Sequence, residues 1–304
     1  MHAPLQAMML IALLGATLRW WGLLGQTHAE RIVQAIFRIS LPATILISVD
    51  RLPFDPTLWR LPVAAWLVML SLLPCSWLLG RTLHLSRASR GTVLIGTSIM
   101  NMAFFGYGVL FGLFGQTGLA RAILFDLGRG LLVFTVVFAI AVAHGLHAGS
   151  RSRAFGRFLM SPPLWAICGV SLFRAAGFHL PQWLHTFLTP VHLTTMPLAS
   201  LVLGLSMDAS GLARHGVVAA AAVLLRMGGG GIAGWIWATA LGLSDVDRAV
   251  VALSGAMPVG LNTLVFATEE DLDQSLAATM VTLSIGAGLI CLPAMPWLVS
   301  LLRS

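Results

Sequence analysis

Lysine is absent from this 304-residue chain, and all 18 basic residues are arginine. The glycine run Gly228 to Gly231 has no Lys-Ser or Lys-Thr after it, which excludes a phosphate-binding loop. An all-arginine basic set also points to a GC-rich, bacterial coding genome. Charge of either sign is scarce. Only 10% of residues are charged while 58% are hydrophobic, and the mean hydropathy is +0.89, which excludes an ordinary soluble domain. The three cysteines (Cys75, Cys168, Cys291) lie in three different apolar stretches without a nearby partner. They form no disulfide framework and read as small packing residues in helices. Aspartate-rich pairs are missing, so the magnesium–diphosphate site of a membrane prenyltransferase is excluded. Ser206 has no evident histidine partner of the kind an intramembrane serine protease needs. His144 and His147 find no third ligand nearby. No enzyme activity, metal or cofactor is expected. Alternating segments of about ten residues, the mark of a membrane β-barrel, are absent too.

What is present is a series of apolar stretches long enough to cross about 30 Å of hydrocarbon as helices. We place them at 5–24, 32–49, 61–80, 92–114, 122–144, 162–178, 186–207, 217–241, 249–268 and 276–301. The first reads as a span rather than a signal peptide, because it lacks a basic start and ends in Arg19-Trp20-Trp21. The net charge of +7 would suggest nucleic acid in a soluble protein. Here the arginines sit mainly between spans, so membrane lipid is the expected partner and nucleic acid is not. Loops after odd-numbered spans hold Arg31, Arg81, Arg87, Arg90, Arg151, Arg153, Arg157 and Arg214. Loops after even-numbered spans, with the C-terminus, hold Arg51, Arg60, Arg121, Arg248 and Arg303. The positive-inside rule then puts both termini on the non-cytoplasmic side of a plasma (bacterial inner) membrane.

The second half of the chain repeats the first at an offset of 154–155 residues. Gly15, Leu18, Arg19 and Gly22 have counterparts in Gly169, Leu172, Arg174 and Gly177; Pro42 matches Pro197, Arg60 matches Arg214 and Gly106 matches Gly260. Five spans per copy is an odd number, so the second copy enters the bilayer inverted. Inverted repeats are a signature of secondary transporters. The expected fold is therefore all-α and integral to the membrane. Ten transmembrane helices form two inverted five-helix repeats, residues 1–150 and 151–304.

The fourth and ninth spans carry helix breakers at matching depths. The fourth contains Asn101, Phe105, Gly106, Tyr107 and Gly108; the ninth contains Pro258, Gly260, Asn262 and Thr263. Proline removes a donor and glycine tolerates non-helical dihedrals, so unwinding is expected near 104–108 and 257–262. Non-helical backbone at membrane depth must be buried in protein or face a wet cavity. Two half-helix N-termini pointing at the bilayer centre suit an anion. These nine residues are the candidate substrate site, with Asn101 and Asn262 as its polar side chains. Six charges lie inside spans, three of them away from the span ends. Asp126 and Arg129 can neutralise each other at i, i+3 spacing, and Asp126 is also a candidate proton carrier. Arg226, in the eighth span, is expected to act at a distance by drawing the anion in. Arg19, Arg38 and Arg174 are near enough to span ends to snorkel. The acidic run Glu269, Glu270, Asp271, Asp273 reads as a solvated turn.

The run Asn101-Met-Ala-Phe-Phe-Gly106, with Leu113-Phe114-Gly115 following, resembles the fourth span of the auxin efflux carrier family. Ala256-Met257-Pro258 through Asn262, then Val265-Phe266-Ala267, is similar to that family's ninth span. Leu41-Pro42-Ala43, Met196-Pro197-Leu198 and Leu292-Pro293 fit as well, so the resemblance covers the whole chain. It departs at Gly108, where the family carries proline. The resemblance implies a scaffold of helices 1, 2, 6 and 7, and a transport part of helices 3–5 and 8–10. Its broken fourth and ninth helices cross at the substrate site. It implies alternating-access carriage of a small organic anion, secondary active or facilitative, with a proton as a candidate coupling ion and a homodimer as a candidate assembly. The alternatives are a ten-helix drug/metabolite-type exporter and a sodium-coupled organic-anion symporter. Sodium is less favoured, because the crossing has no carboxylate of its own.

Overall fold

A computed structural model describes residues 3–51, 56–145, 160, 162–208, 210–297 and 299. His147 and the arginines at 151, 153, 157 and 303 lie outside the described residues. The described chain is all-helical, and its single β-type pairing is an isolated antiparallel bridge between Met100 and Val259.

In chain order the helices are α1 (Ala3–Trp20), α2 (Gln26–Ala35), α3 (Leu41–Asp50), α4 (Arg60–Thr82), α5 (Arg87–Ser98), α6 (Tyr107–Leu132) and α7 (Phe138–His144). Then come α8 (Pro162–Ala175), α9 (Gln182–Leu205), α10 (Leu212–Leu224), α11 (Gly230–Ala240), α12 (Asp245–Gly255), α13 (Asn262–Glu269) and α14 (Gln274–Cys291). Single π-helical turns join α2 to α3 (Ile36–Ser40), α6 to α7 (Val133–Val137) and α10 to α11 (Leu225–Gly229); another, Met102–Gly106, leads into α6. Seven of the resulting helical stretches are long and apolar enough to cross a membrane: Ala3–Trp20, Thr27–Asp50, Thr57–Thr82, Met102–His144, Gln182–Leu205, Leu212–Ala240 and Gln274–Trp297.

The stretch Met102–His144 has 43 residues. A straight helix of that length would run about 65 Å, twice the hydrocarbon thickness. It does not run straight, because Gly115 sits inside it at φ 64°, ψ −152°, a conformation open to glycine. Among the described residues five others have positive φ, and with Gly115 they form three pairs across the halves at nearly the same offset. Gly22 matches Gly177, His84 matches Gly242 and Gly115 matches Asp271. The turns match too: Gly22 N–H donates to Arg19 O, and Gly177 N–H to Arg174 O. Ser86 and Ser244 likewise cap the starts of α5 and α12, accepting from Ser89 N–H and Asp247 N–H.

Close packing ties helices from different halves. At Gly15 an added Cβ would stand 2.5 Å from Leu201 O, so α1 and α9 touch backbone to backbone. Polar contacts sort the connections into two sets. At one end Arg19 donates to Leu205 O and pairs with Asp208 at 3.5 Å, Asp208 N–H donates to Thr282 Oγ1, and Ser89 Oγ donates to Asp273. At the other, Asp50 accepts from His185 and Leu180 N–H, Arg60 donates to Leu241 O, and Arg121 pairs with Asp247. Arg19 thus does more than snorkel. The acidic turn is not simply solvated either: Glu270 is 3% exposed, and Asp273 caps α14. The three cysteines are exposed on outer helix surfaces instead of packing inside.

Candidate functional site

The first break falls at Ile99, Met100 and Asn101, ahead of the expected 104–108. Gly106 (φ −61°, ψ −43°) stays right-handed helical, and Tyr107 and Gly108 belong to α6. Gly106 and Gly108 serve close packing instead, against Met102 and Met257 and against Met8. No glycine or proline stands at 99–101. The chain leaves the helix there because the second break supplies its hydrogen bonds. Asn101 N–H donates to Pro258 O at 2.8 Å, and Gly260 N–H donates to Ile99 O at 2.8 Å. Ser284 Oγ accepts from Val259 N–H at 3.0 Å. The two breaks thus meet face to face, each satisfying backbone groups that the other exposes. Gly260 makes this approach possible, since a Cβ there would lie 2.6 Å from Ile99 Cγ2 and 3.0 Å from Met100 O.

Arg226 is fully buried at this junction, not on an access route. One Nη donates to Thr97 O at 2.7 Å and the other to Gly255 O. Those carbonyls belong to the last residues of α5 and α12, so a single guanidinium caps two helix C-termini. Each C-terminus carries roughly half a negative charge, so the pair offsets one arginine. Around the junction several buried polar atoms have no hydrogen-bond partner: Asn101 Nδ2, Ser254 Oγ, Thr263 Oγ1 and Arg226 Nε. Phe105 is fully buried and packs against Gly288, beside Pro258.

Beside the junction lies a cavity of about 130 Å³. It gathers Tyr107, Asp126, Arg129 and Asn262 with apolar residues that include Phe37, Ala103 and Leu164. Asp126 is already committed on both oxygens. Arg129 Nε donates to Oδ1, and Tyr107 Oη donates to Oδ2 at 2.9 Å. Asn262 and Phe37 also line a second cavity, of about 350 Å³, with Glu30, Gln34 and Phe104. Phe37 and Phe104 stand 5.8 Å apart between centroids.

Of the residues singled out from the sequence, Tyr107, Asp126, Arg129 and Asn262 therefore share one cavity. Asn101, Pro258 and Gly260 build the junction, with Arg226 and Thr263 buried around it. Phe105, Gly106 and Gly108 lie outside that cavity. Phe37 and Leu164 escape a sequence reading because they are apolar residues in apolar spans. His192 also escaped it, although an ionisable ring inside the span 186–207 was a legible signal.

Residues 2–152 match the membrane transport protein family. Over 291 residues the chain is 28% identical to an uncharacterised transporter of Methanothermobacter thermautotrophicus, covering 94% of each chain. Over 300 residues it is 24% identical to an uncharacterised transporter of Methanocaldococcus jannaschii, covering 95% of this chain and 96% of the relative. With paired helix breaks, matching turns and apolar helices throughout, the chain belongs to this membrane transport protein family, the family of the auxin efflux carriers.

Proposed function

We propose that the protein is a secondary carrier of a small organic anion, working by alternating access in the plasma membrane. The observation that carries this reading is the junction itself. Two broken helices pair through Met100 and Val259, beside a cavity that Asn262 lines. The charge balance favours an anion. Arg226 is matched by two helix C-termini and Arg129 by Asp126, which leaves the N-terminal ends at Met102 and Asn262 as the unmatched positive potential. Asn101 and Asn262 are the side chains we assign to the carboxylate.

The same reading takes the chain across the bilayer ten times, as two inverted five-helix repeats. The paired left-handed residues, the matching serine caps and the bend at Gly115 support it. So does the sorting of connections into two polar ends. Helices 4 and 9 are then the split pairs α5 with the start of α6, and α12 with α13. Their short halves explain why they do not stand out as spanning helices. Both termini face away from the cytoplasm.

The test is a panel of mono- and dicarboxylates on purified protein, read as thermal stabilisation, followed by flux of the best binder into proteoliposomes. Carboxylates should stabilise the protein, and their methyl esters should not. Asn262→Ala and Asn101→Ala should each weaken binding about tenfold or more, as expected when a hydrogen bond to a charged group is lost. Tight binding of an ester or a cation would overturn the proposal and favour a drug/metabolite-type exporter.

A further inference from the structure

Among the described residues a connected, largely buried polar cluster lies between α3, α9 and the bend of α6. His192 of α9 is 5% exposed. Its Nδ1 lies 3.1 Å from Thr44 Oγ1, and its Nε2 lies 3.1 Å from Nε2 of Gln116. Thr44 and Thr195 hydroxyls are 2.7 Å apart, and both reach Ser40 O, at 2.9 and 3.0 Å. Ser48 Oγ is 3.3 Å from Gln116 Oε1. A small cavity borders the ring, lined by Tyr107, Gly108, Thr195 and Ser200 among others.

We propose that His192 is the proton-binding site of this carrier, and that Gln116 senses its charge. This rests on the carrier reading for its consequence, but not for the chemistry of the site. In the neutral ring, Nδ1–H donates to Thr44 Oγ1. Thr44 donates to Thr195, and Thr195 donates to Ser40 O. The lone pair on Nε2 accepts from the Gln116 amide, whose oxygen accepts from Ser48. Every partner is satisfied. When a proton binds, it takes the lone pair of Nε2, and that nitrogen becomes a donor facing a donor. The conflict is relieved when the Gln116 amide turns over. Its oxygen then accepts from Nε2–H, and its nitrogen donates to Ser48 Oγ. An amide can serve either state because its two ends differ only in donor and acceptor character. A buried ring with partners for both protonation states is what a reversible proton site needs.

The surroundings favour His192 over the other titratable groups. Asp126 is held by Arg129 and Tyr107, so protonating it breaks an ion pair. On α3 the charged group is Asp50, committed to His185 and Leu180 N–H, with Arg51 following at the helix end. On α6 Arg121, five residues beyond Gln116, is paired with Asp247. Tyr107, also at the small cavity, gives its hydroxyl to Asp126. No carboxylate is bonded to the imidazole, so a proton arriving there changes the net charge of the site. Gln116 is the next residue after the bend at Gly115, where α6 turns. Thr44 and His192 belong to the helices assigned to the scaffold, and Gln116 to a helix assigned to the moving part. The bond between His192 and Gln116 therefore joins the two parts, and proton binding and substrate movement are linked through it.

Two measurements test this on the full chain in lipid nanodiscs and proteoliposomes. The first needs no substrate. With ring-labelled histidine scanned over about pH 4 to 8, one imidazole signal absent from His192→Gln should change protonation state, and Gln116→Leu should shift its midpoint. A His192 ring that stays in one protonation state over that range overturns the proposal. The second is succinate uptake with an inward proton gradient, followed with an internal pH dye. Wild type should acidify the lumen as succinate enters. Folded His192→Gln and His192→Asn should lose that acidification, and their uptake should vary less than about twofold with pH. Wild-type proton flux in both variants overturns the proposal. If wild type moves no succinate or other carboxylate, the carrier reading fails, and the titration alone decides the proton site.

Discussion

Arg226 carries a full charge with no exposed surface, and its worth depends on the two carbonyls it reaches, Thr97 O and Gly255 O. Arg226→Gln deletes the charge and leaves two buried acceptors short of donors. Each such loss costs about 1–3 kcal/mol in a water-excluded site. Partners found by the loosened chain reduce the total, so we expect destabilisation on the order of 3 kcal/mol. Thermal melting of purified protein measures this. Lysine restores the charge but not the fork that spans two helix ends, so Arg226→Lys should recover only part of the loss. An Arg226→Gln protein as stable as wild type, with only slower uptake, would return Arg226 to the role of a distant attractor. Tyr107→Phe is a smaller change at the cavity wall. It removes one hydrogen bond to the Asp126 carboxylate, worth about 1.5–3 kcal/mol, and should leave the Arg129 pair intact.

At the scale of elements, the two broken helices depend on each other. Neither break can close its own hydrogen bonds, so damage to one side should be felt on the other. Gly260→Ala places a methyl against Ile99 and the Met100 carbonyl. The methyl forces the two segments apart and breaks the Asn101-to-Pro258 and Gly260-to-Ile99 bonds together. Uptake should be lost even where the protein still folds. The pairing itself can be trapped. Residues opposite one another in an antiparallel bridge have Cα atoms about 4.5–5.5 Å apart, within reach of a disulfide. In a background with Cys75, Cys168 and Cys291 replaced, Met100→Cys with Val259→Cys should cross-link under mild oxidation, and a pair such as Ile95→Cys with Val259→Cys should not. Failure of the first pair to cross-link would mean that the breaks do not meet.

For the whole molecule, the outer surface fits a membrane, and the proposed orientation is tested at the two polar ends. Leu10, Leu14, Leu172, Phe187 and Leu193 are exposed, and an aqueous surface would not tolerate so many. Exposed tryptophans cluster toward helix ends: Trp20 and Trp21 at the end of α1, Trp59 before α4 and Trp183 at the start of α9. That is the distribution of an interfacial belt. One polar end holds Arg19, Asp208 and Asp273; the other holds Asp50, Arg60 and Asp247. With native cysteines removed, Thr82→Cys should be labelled from the cytoplasmic side and Asp245→Cys from outside by an impermeant maleimide. The opposite pattern would reverse the orientation. Labelling of both from one side would end the ten-crossing arrangement.

The sequence alone determined the class of the protein and much of its rhythm. Hydropathy is a local property, so the all-helical, membrane-spanning character of the chain was legible one stretch at a time. The offset between halves was legible too, and the turns at Gly22 and Gly177 follow it because both need the left-handed conformation. The second break was legible because Pro258 cannot donate within a helix. The first was misplaced, because Gly106 and Gly108 invite unwinding but are held helical by their packing. Ile99 and Asn101 leave the helix for a hydrogen-bonding partner about 160 residues away, and no local propensity encodes that. The role of Arg226 and the gathering of Tyr107, Asp126 and Asn262 were decided in the same way. A charge in a span announces only that it needs a partner; which partner it finds depends on which helices pack together.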